Sequence, residues 1–223
     1  MTSRSRTIAI ALVAVLAAAA LGYWAYSANK KRELHNAIVA LVQDANQRLR
    51  GALGAESAPP SAGTVKKLDE HASAVDGRLQ ELKRVDASFN LAMADAADSY
   101  LVTAREILRR QTASHRGRLL LADSLPALRE HMRADNRTGS WVQEAVKAKE
   151  RVEKDFREYR VAAEQLGKLL DSLTRDQAKI APHAPELSPV EESLVSDARK
   201  QALAAYKQLA EEVEKTKQLE AYR

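Results

Sequence analysis

Apolar residues follow two rhythms along this 223-residue chain. From Ile8 to Tyr26 the sequence IAIALVAVLAAAALGYWAY carries no charged side chain. From Leu34 onward, apolar positions instead recur at alternating steps of three and four, the spacing of one face of a helix. The longest such stripe is Val142, Ala145, Val152, Phe156, Tyr159, Ala163, Leu166, Leu170 and Leu173, broken only at Lys149. Leu34, Ile38, Leu41 and Ala45 repeat the spacing, as do Val65, Leu68, Ala72, Val75, Leu79 and Leu82. Phe89, Met93, Ala96 or Ala97, Tyr100, Ala104 and Ile107 form a fourth stripe, and Val195, Ala198, Ala202, Ala205, Leu209 and Val213 a fifth. Five one-sided helices result, and each must bury its stripe against another.

Capping chemistry and helix breakers mark the boundaries. Ser140-Trp141-Val142-Gln143 and Ser188-Pro189-Val190-Glu191 both read as capping boxes, the second with proline at the first helical position. The segment GALGAESAPPSAG, 51–63, is a linker, because its prolines lack amide donors and push the preceding residues out of the helical region. The same reasoning breaks the chain at Ala181–Pro185. DNRTG, 135–139, is a loop, and Asp123-Ser124-Leu125-Pro126 restarts or kinks a helix whose earlier part ends near Gly117. The chain divides into a basic tail (1–6), a membrane anchor helix (7–28), a membrane-proximal helix (29–50) that can extend the anchor, the linker (51–63) and a bundle (64–223). Within the bundle the pattern predicts helices over 64–85, 88–117, 124–134, 141–180 and 189–222. The fold class is all-α: a single N-terminal transmembrane helix, then long amphipathic helices in an elongated, antiparallel up-and-down bundle with coiled-coil-like packing.

Nineteen uncharged residues rising 1.5 Å each cover about 28 Å, close to the hydrocarbon thickness of a bilayer. Arg4 and Arg6 precede the run, while Tyr23, Trp24, Tyr26, Lys30, Lys31 and Arg32 follow it, the aromatic-then-basic order that a membrane interface favours. Ala18-Ala19-Ala20 also offer the small residues of a signal-peptidase site, which would release a secreted soluble body. Continuation of the run through Leu21 to Tyr26 favours retention as an anchor. Flanking charges nearly balance, but a very short basic tail before a first apolar segment is the usual signal-anchor arrangement. It places the body on the exported, periplasmic side of a bacterial-type inner membrane, with a cytoplasm-facing body as the alternative.

Charge narrows the partners. The chain carries 35 Lys and Arg against 30 Asp and Glu, with a pI near 9.4. No acidic residue precedes Glu33, so Arg4, Arg6, Lys30, Lys31 and Arg32 account for the whole excess of +5. The body is neutral, whereas a nucleic-acid binder needs a basic face on its folded domain. Membrane lipid is the partner that the flanks suit. Cysteine is absent, which excludes disulfides, thiolate metal sites and a cysteine nucleophile.

No catalytic, cofactor or metal signature emerges. His35, His71, His115, His131 and His183 sit in none of the spacings that put two ligands on one helical face, and read as solvated surface groups. Tyr100, Phe156, Tyr159 and Tyr206 lie on apolar stripes and read as core. Asn136-Arg137-Thr138 fits a glycosylation acceptor, a match too short to weigh. The one basic cluster in the body is Arg105, Arg109, Arg110, Arg116 and Arg118. It is either an anion or acidic-partner patch, or a solvated face paired with carboxylates of a neighbouring helix, the commoner case. These observations lead to a non-enzymatic scaffold that binds a protein partner, or a second copy of itself, through its amphipathic helices. The alternative is a sensory or small-ligand-binding bundle.

Overall fold

The structure, a computed structural model, describes residues 3–133 and 139–221, with side chains described over 15–133 and 140–216. Among these residues there are five α-helices and no strand: α1 (Ser3–Gly54), α2 (Ala62–Leu82), α3 (Leu91–Arg133), α4 (Gly139–Ile180) and α5 (Glu192–Ala221). A short 3₁₀ turn, Ala87–Phe89, precedes α3. The predicted loop at 135–139 lies almost wholly outside the described residues, as does the Asn136-Arg137-Thr138 match.

Cross-helix contacts fix the topology. Asn46 and Ala52 of α1 meet Tyr100 and Gln111 of α3 in the same order, so these two helices run parallel. Asp44 and Gly51 face Arg78 and His71 of α2 in reverse order, and Thr103 and Gly117 of α3 face Asp176 and Tyr159 of α4 likewise. The body is thus an up-and-down bundle whose consecutive helices alternate in direction. One hydrophobic core joins α1, α2, the first half of α3, the second half of α4 and the start of α5. A second, smaller core joins only α3, α4 and α5 around Leu121, Leu125, Leu128, Val152, Tyr159 and Val213. The bundle tapers from that first, larger assembly of helices to three.

The predicted stripes supply these cores. Leu34, Ile38, Leu41, Ala45, Leu68, Ala72, Val75, Leu79, Met93, Ala97, Tyr100, Ala104 and Ile107 are all buried. On α4 the stripe is buried at Val152, Tyr159, Leu166, Leu170 and Leu173, but Val142 is 59% exposed. Val142 opens that seam, so it is the seam's first turn that is left uncovered among the described residues.

Besides α3 starting at Leu91 instead of 88, and α4 at Gly139, which puts the proposed cap Ser140 inside the helix, four boundaries differ from the sequence reading. First, α1 continues to Gly54, so the anchor and membrane-proximal segments form one helix and the connection to α2 is shorter than 51–63. Ser61 then caps α2, its hydroxyl accepting the Thr64 amide at 3.0 Å. Second, α2 stops at Leu82 instead of 85, where Lys83 and Arg84 turn the chain toward the 3₁₀ segment. Third, α3 is a single helix of 43 residues, about 64 Å long. It does not end at Gly117 or break at Pro126. Pro126 lacks an amide to give Ala122, yet both residues face solvent, where water can serve that carbonyl, while buried Leu121, Leu125 and Leu128 hold the inner face. Fourth, α5 starts at Glu192 and not at the proposed capping box at Ser188. The Ser188 carbonyl accepts from Asn46 at 2.9 Å and from Arg50 at 3.1 Å, and Arg50 also bonds the Pro189 carbonyl at 2.7 Å. Those contacts hold the segment extended along α1, and the first helical bond of α5 runs from the Val195 amide to the Glu191 carbonyl.

A transmembrane helix over 7–28 is not supported by the described residues: among them no helix is long and apolar enough to cross a membrane. Residues 7–14 of that segment have no described side chains, and the remainder runs into Lys30, Lys31 and Arg32.

Gly117 lies where the long helix meets α4. A Cβ there would lie 2.8 Å from Tyr159 Cβ and 3.1 Å from Tyr159 Cα, so α3 and α4 approach too closely for any side chain. Gly117→Ala is expected to lower stability by about 1–3 kcal/mol through overpacking, despite alanine's better helix propensity. Gly77→Ala, with nothing within 4 Å of the new methyl, is expected to raise it by about 0.5–1 kcal/mol. Denaturant titration of the two variants checks the opposite signs.

Candidate functional site

Gly54 ends α1, and the following turn folds back through bonds from the Ala55 amide to the Ala52 carbonyl and from the Glu56 amide to the Leu53 carbonyl. That reversal drives the Glu56 side chain into the bundle, where it is 1% exposed. Three residues on one face of α3 receive it. Gln111 Nε2 donates to Glu56 Oε2 at 3.1 Å and to the Ala52 carbonyl at 3.2 Å. His115 Nε2 lies 3.5 Å from the same carboxylate oxygen. Arg118 Nη1 stands 3.8 Å from Oε1 and donates to the Glu56 main-chain carbonyl at 3.3 Å. Gln111 and His115 are completely buried. Arg118 supplies the positive charge that a carboxylate needs when removed from water.

This cluster is not fully satisfied. Among the described residues Glu56 Oε1, Gln111 Oε1 and both ring nitrogens of His115 have no hydrogen-bond partner, although all are buried. Beside it, Tyr159 seats against Gly117 and joins a group of rings with Phe156 and Tyr206, centroids 6.1–6.4 Å apart. Burial pushes the Tyr159 phenol up to about 12; Arg118 pulls it down, and Glu56 and Tyr206 push it up. It therefore stays a neutral hydroxyl. The arrangement clamps the α1–α2 connection onto α3 at the level where the bundle narrows.

A second buried polar layer lies nearer the base. Tyr100 donates to Asn46 Oδ1, and Thr103 donates to Asp176 at 2.7 Å, whose other oxygen accepts from Lys179 at 2.8 Å. Burial raises the Tyr100 phenol well above its ordinary range. On the α1–α2 face, Asp44 accepts from Arg48 at 2.9 Å and Arg78 at 3.0 Å. Partial burial raises its pKa, but the two guanidinium groups outweigh this and hold it below the ordinary aspartate value. His71, nearby on α2, has its pKa lowered by burial first and by Arg48 second, and its Nδ1 has no hydrogen-bond partner among the described residues.

The five arginines singled out in the sequence do not form one surface. Arg105 and Arg109 share Asp76 of α2, at 3.2 and 3.8 Å, and also meet Glu106 at 3.0 and 3.5 Å. Arg110 reaches Glu106 at 4.0 Å, Arg116 is exposed, and Arg118 turns inward to Glu56. Arg105 and Arg109 thus pair with carboxylates of their own and the neighbouring helix, and Arg110 with one of its own helix alone. Of the residues read from the sequence as flanks of an anchor, Tyr23, Trp24 and Tyr26 are exposed, Lys30 pairs with Glu33 at 2.7 Å, and Lys31 and Arg32 face solvent. The side chains of Arg4 and Arg6 lie outside the described residues.

Sequence reasoning missed His115 by reading it as a surface group. A signal was available: Gln111, His115 and Arg118 continue the stripe of Ala104 and Ile107 at steps of three and four, putting polar residues where core is due. Glu56, hidden in a linker between Gly54 and Pro59, left no periodic trace. Among the described residues, no group of three or more His, Cys, Asp or Glu side chains could hold a metal ion. A shallow groove of about 420 Å³ runs between α4 and α5, lined by Ala163, Gly167, Leu170, Ala202, Leu203 and Tyr206. No protein-family model matches the chain, and comparison with curated proteins and with solved structures yields no match.

Two outcomes follow from these geometries. Glu56→Ala leaves Arg118 and His115 facing an uncompensated cavity and is expected to cost about 3 kcal/mol in denaturant titration; in a double-mutant cycle with Arg118→Ala the losses are less than additive. His71 has a depressed pKa, so its contribution to stability is present above pH 6.5, its ordinary value, and is lost as pH falls through the lower folded value. His71→Gln is therefore expected to shrink the drop in melting temperature between neutral and mildly acidic buffer. An unchanged drop would place the acid sensitivity elsewhere.

Proposed function

We propose that this protein is a non-enzymatic, membrane-anchored helical scaffold that holds a protein partner near the membrane surface. The anchor rests on the apolar run Ile8–Tyr26, whose length suits a bilayer, and on the aromatic and basic residues that follow it. The signal-anchor pattern of a short basic tail favours a body on the exported side of a bacterial-type inner membrane, reached by a single span.

The observation that carries the interaction reading is the uncovered end of the α4 seam. Val142, at the head of the stripe, is 59% exposed and Val146, one turn on and beside the stripe, is 49% exposed, on the same helix whose later stripe is buried at Val152, Tyr159, Leu166, Leu170 and Leu173. A heptad seam extended past its own bundle offers one apolar face to a helix of another chain. Polar surroundings at Glu144 and Lys147 keep that face soluble until it is covered.

The test is affinity purification of the full chain through a C-terminal tag, after extraction of membranes with mild detergent. A stoichiometric companion chain, or a second copy by light scattering, is the expected result. Val142→Asp combined with Val146→Asp is expected to weaken that association roughly tenfold or more while leaving helix content unchanged. Recovery of a lone monomer from the membrane fraction overturns the scaffold reading, and recovery of the chain from the soluble fraction overturns the anchor.

A further inference from the structure

The connection between α2 and α3 meets α1 where the apolar run ends. Phe89 packs its ring edge-on to Tyr26, with centroids 6.2 Å apart and planes at 72°. Lys30 lies over the other part of the same tyrosine, its Nζ 6.0 Å from the ring centroid. Asp86 caps the 3₁₀ turn by accepting the Ser88 amide at 3.1 Å, which fixes the loop's shape. The carboxylates at this level are thereby engaged: Glu33 by Lys30 and Asp86 by the turn. The cations are not. Lys83 and Arg84 on the connection, and Lys31 and Arg32 on α1, are exposed and form no ion pair among the described residues. Seven residues past Arg84, Leu91 is 63% exposed at the start of α3.

We propose that this base is a second membrane contact, in which Lys83 and Arg84 bind anionic phospholipid headgroups and Leu91 enters the interfacial layer. The inference rests on the anchor reading, since Tyr26 marks the bilayer boundary only if the preceding run is embedded. Given that boundary, the Tyr26–Phe89 contact leaves the connection within one side chain of the headgroups. Five cations, Lys30, Lys31, Arg32, Lys83 and Arg84, then face the lipid against Glu33 and Asp86, a net excess that suits a negative surface. An exposed leucine beside unpaired cations matches the amphipathic character of such a layer. Docking of this loop keeps the bundle upright on the membrane instead of swinging about a single helix.

The absence of cysteine allows single labelled positions in the full chain. Spin labels at Trp24→Cys, Leu91→Cys and Val142→Cys, in vesicles of phosphatidylcholine with phosphatidylglycerol, report depth from their relative accessibility to oxygen and to a water-soluble nickel chelate. The label at 91 is expected to lie at headgroup depth, between a lipid-buried label at 24 and an aqueous one at 142. Lys83→Ser with Arg84→Ser is expected to lower the docked-to-free ratio about thirtyfold, and to move the label at 91 to the aqueous value. Vesicles of phosphatidylcholine alone produce the same shift without any substitution at the base. A label at 91 as aqueous as that at 142, with 24 buried in lipid, overturns the docking and leaves the anchor standing. A label at 24 in water overturns both.

Discussion

The seating of Tyr159 on Gly117 sets the distance between the two longest helices of the body, and most of the fold is organised around it. Because no side chain stands between α3 and α4 at that point, Cα and Cβ of the tyrosine reach the opposing backbone. The phenol then fills the space where α1 and α2 have ended, and Phe156 and Tyr206 continue the packing toward α5. Immediately alongside, Arg118 reaches across to the carboxylate that closes α1. The change from the broad end to three helices is thus made by one close contact and one buried ion cluster in adjacent positions of α3.

Much of the architecture was legible as periodicity. Stripes on α1, α2 and the first half of α3 were nearly all buried as read, since an amphipathic helix in water has few other ways to place its apolar face. Local breaker rules were less dependable. Gly117 resembles a helix terminator in one dimension, but its role is set by a residue 42 positions later in sequence, which no local window contains. Ser188 likewise has the composition of a cap, yet tertiary bonds from Asn46 and Arg50 take its carbonyl and hold the chain extended.

The buried polar groups were the least legible part. Gln111 and His115 occupy core positions of a helical stripe whose apolar members are interrupted between Leu108 and Leu121, and only their spacing betrays them. Glu56 sits in a turn rich in alanine, glycine and proline, where nothing in the sequence says that its side chain points inward. The arginines, by contrast, were visible as a cluster, but their opposing carboxylates on α2 depend on how the helices are paired. Sequence displays which charges exist, and folding decides which of them remain uncompensated.

Asn46 and Arg50 bond the extended connection between α4 and α5 from a helix that begins at Ser3. Glu186 of the same connection meets His35 about three turns before Asn46 on that helix. The segment therefore follows α1 lengthwise, like a strap fastened at several points. A turn of α1 about its own axis cannot be absorbed by slippage along this line, because the hydrogen bonds span more than a dozen residues of the helix. Torque applied at one end of the rod passes directly into the start of α5, which makes the first helix an axle for the bundle.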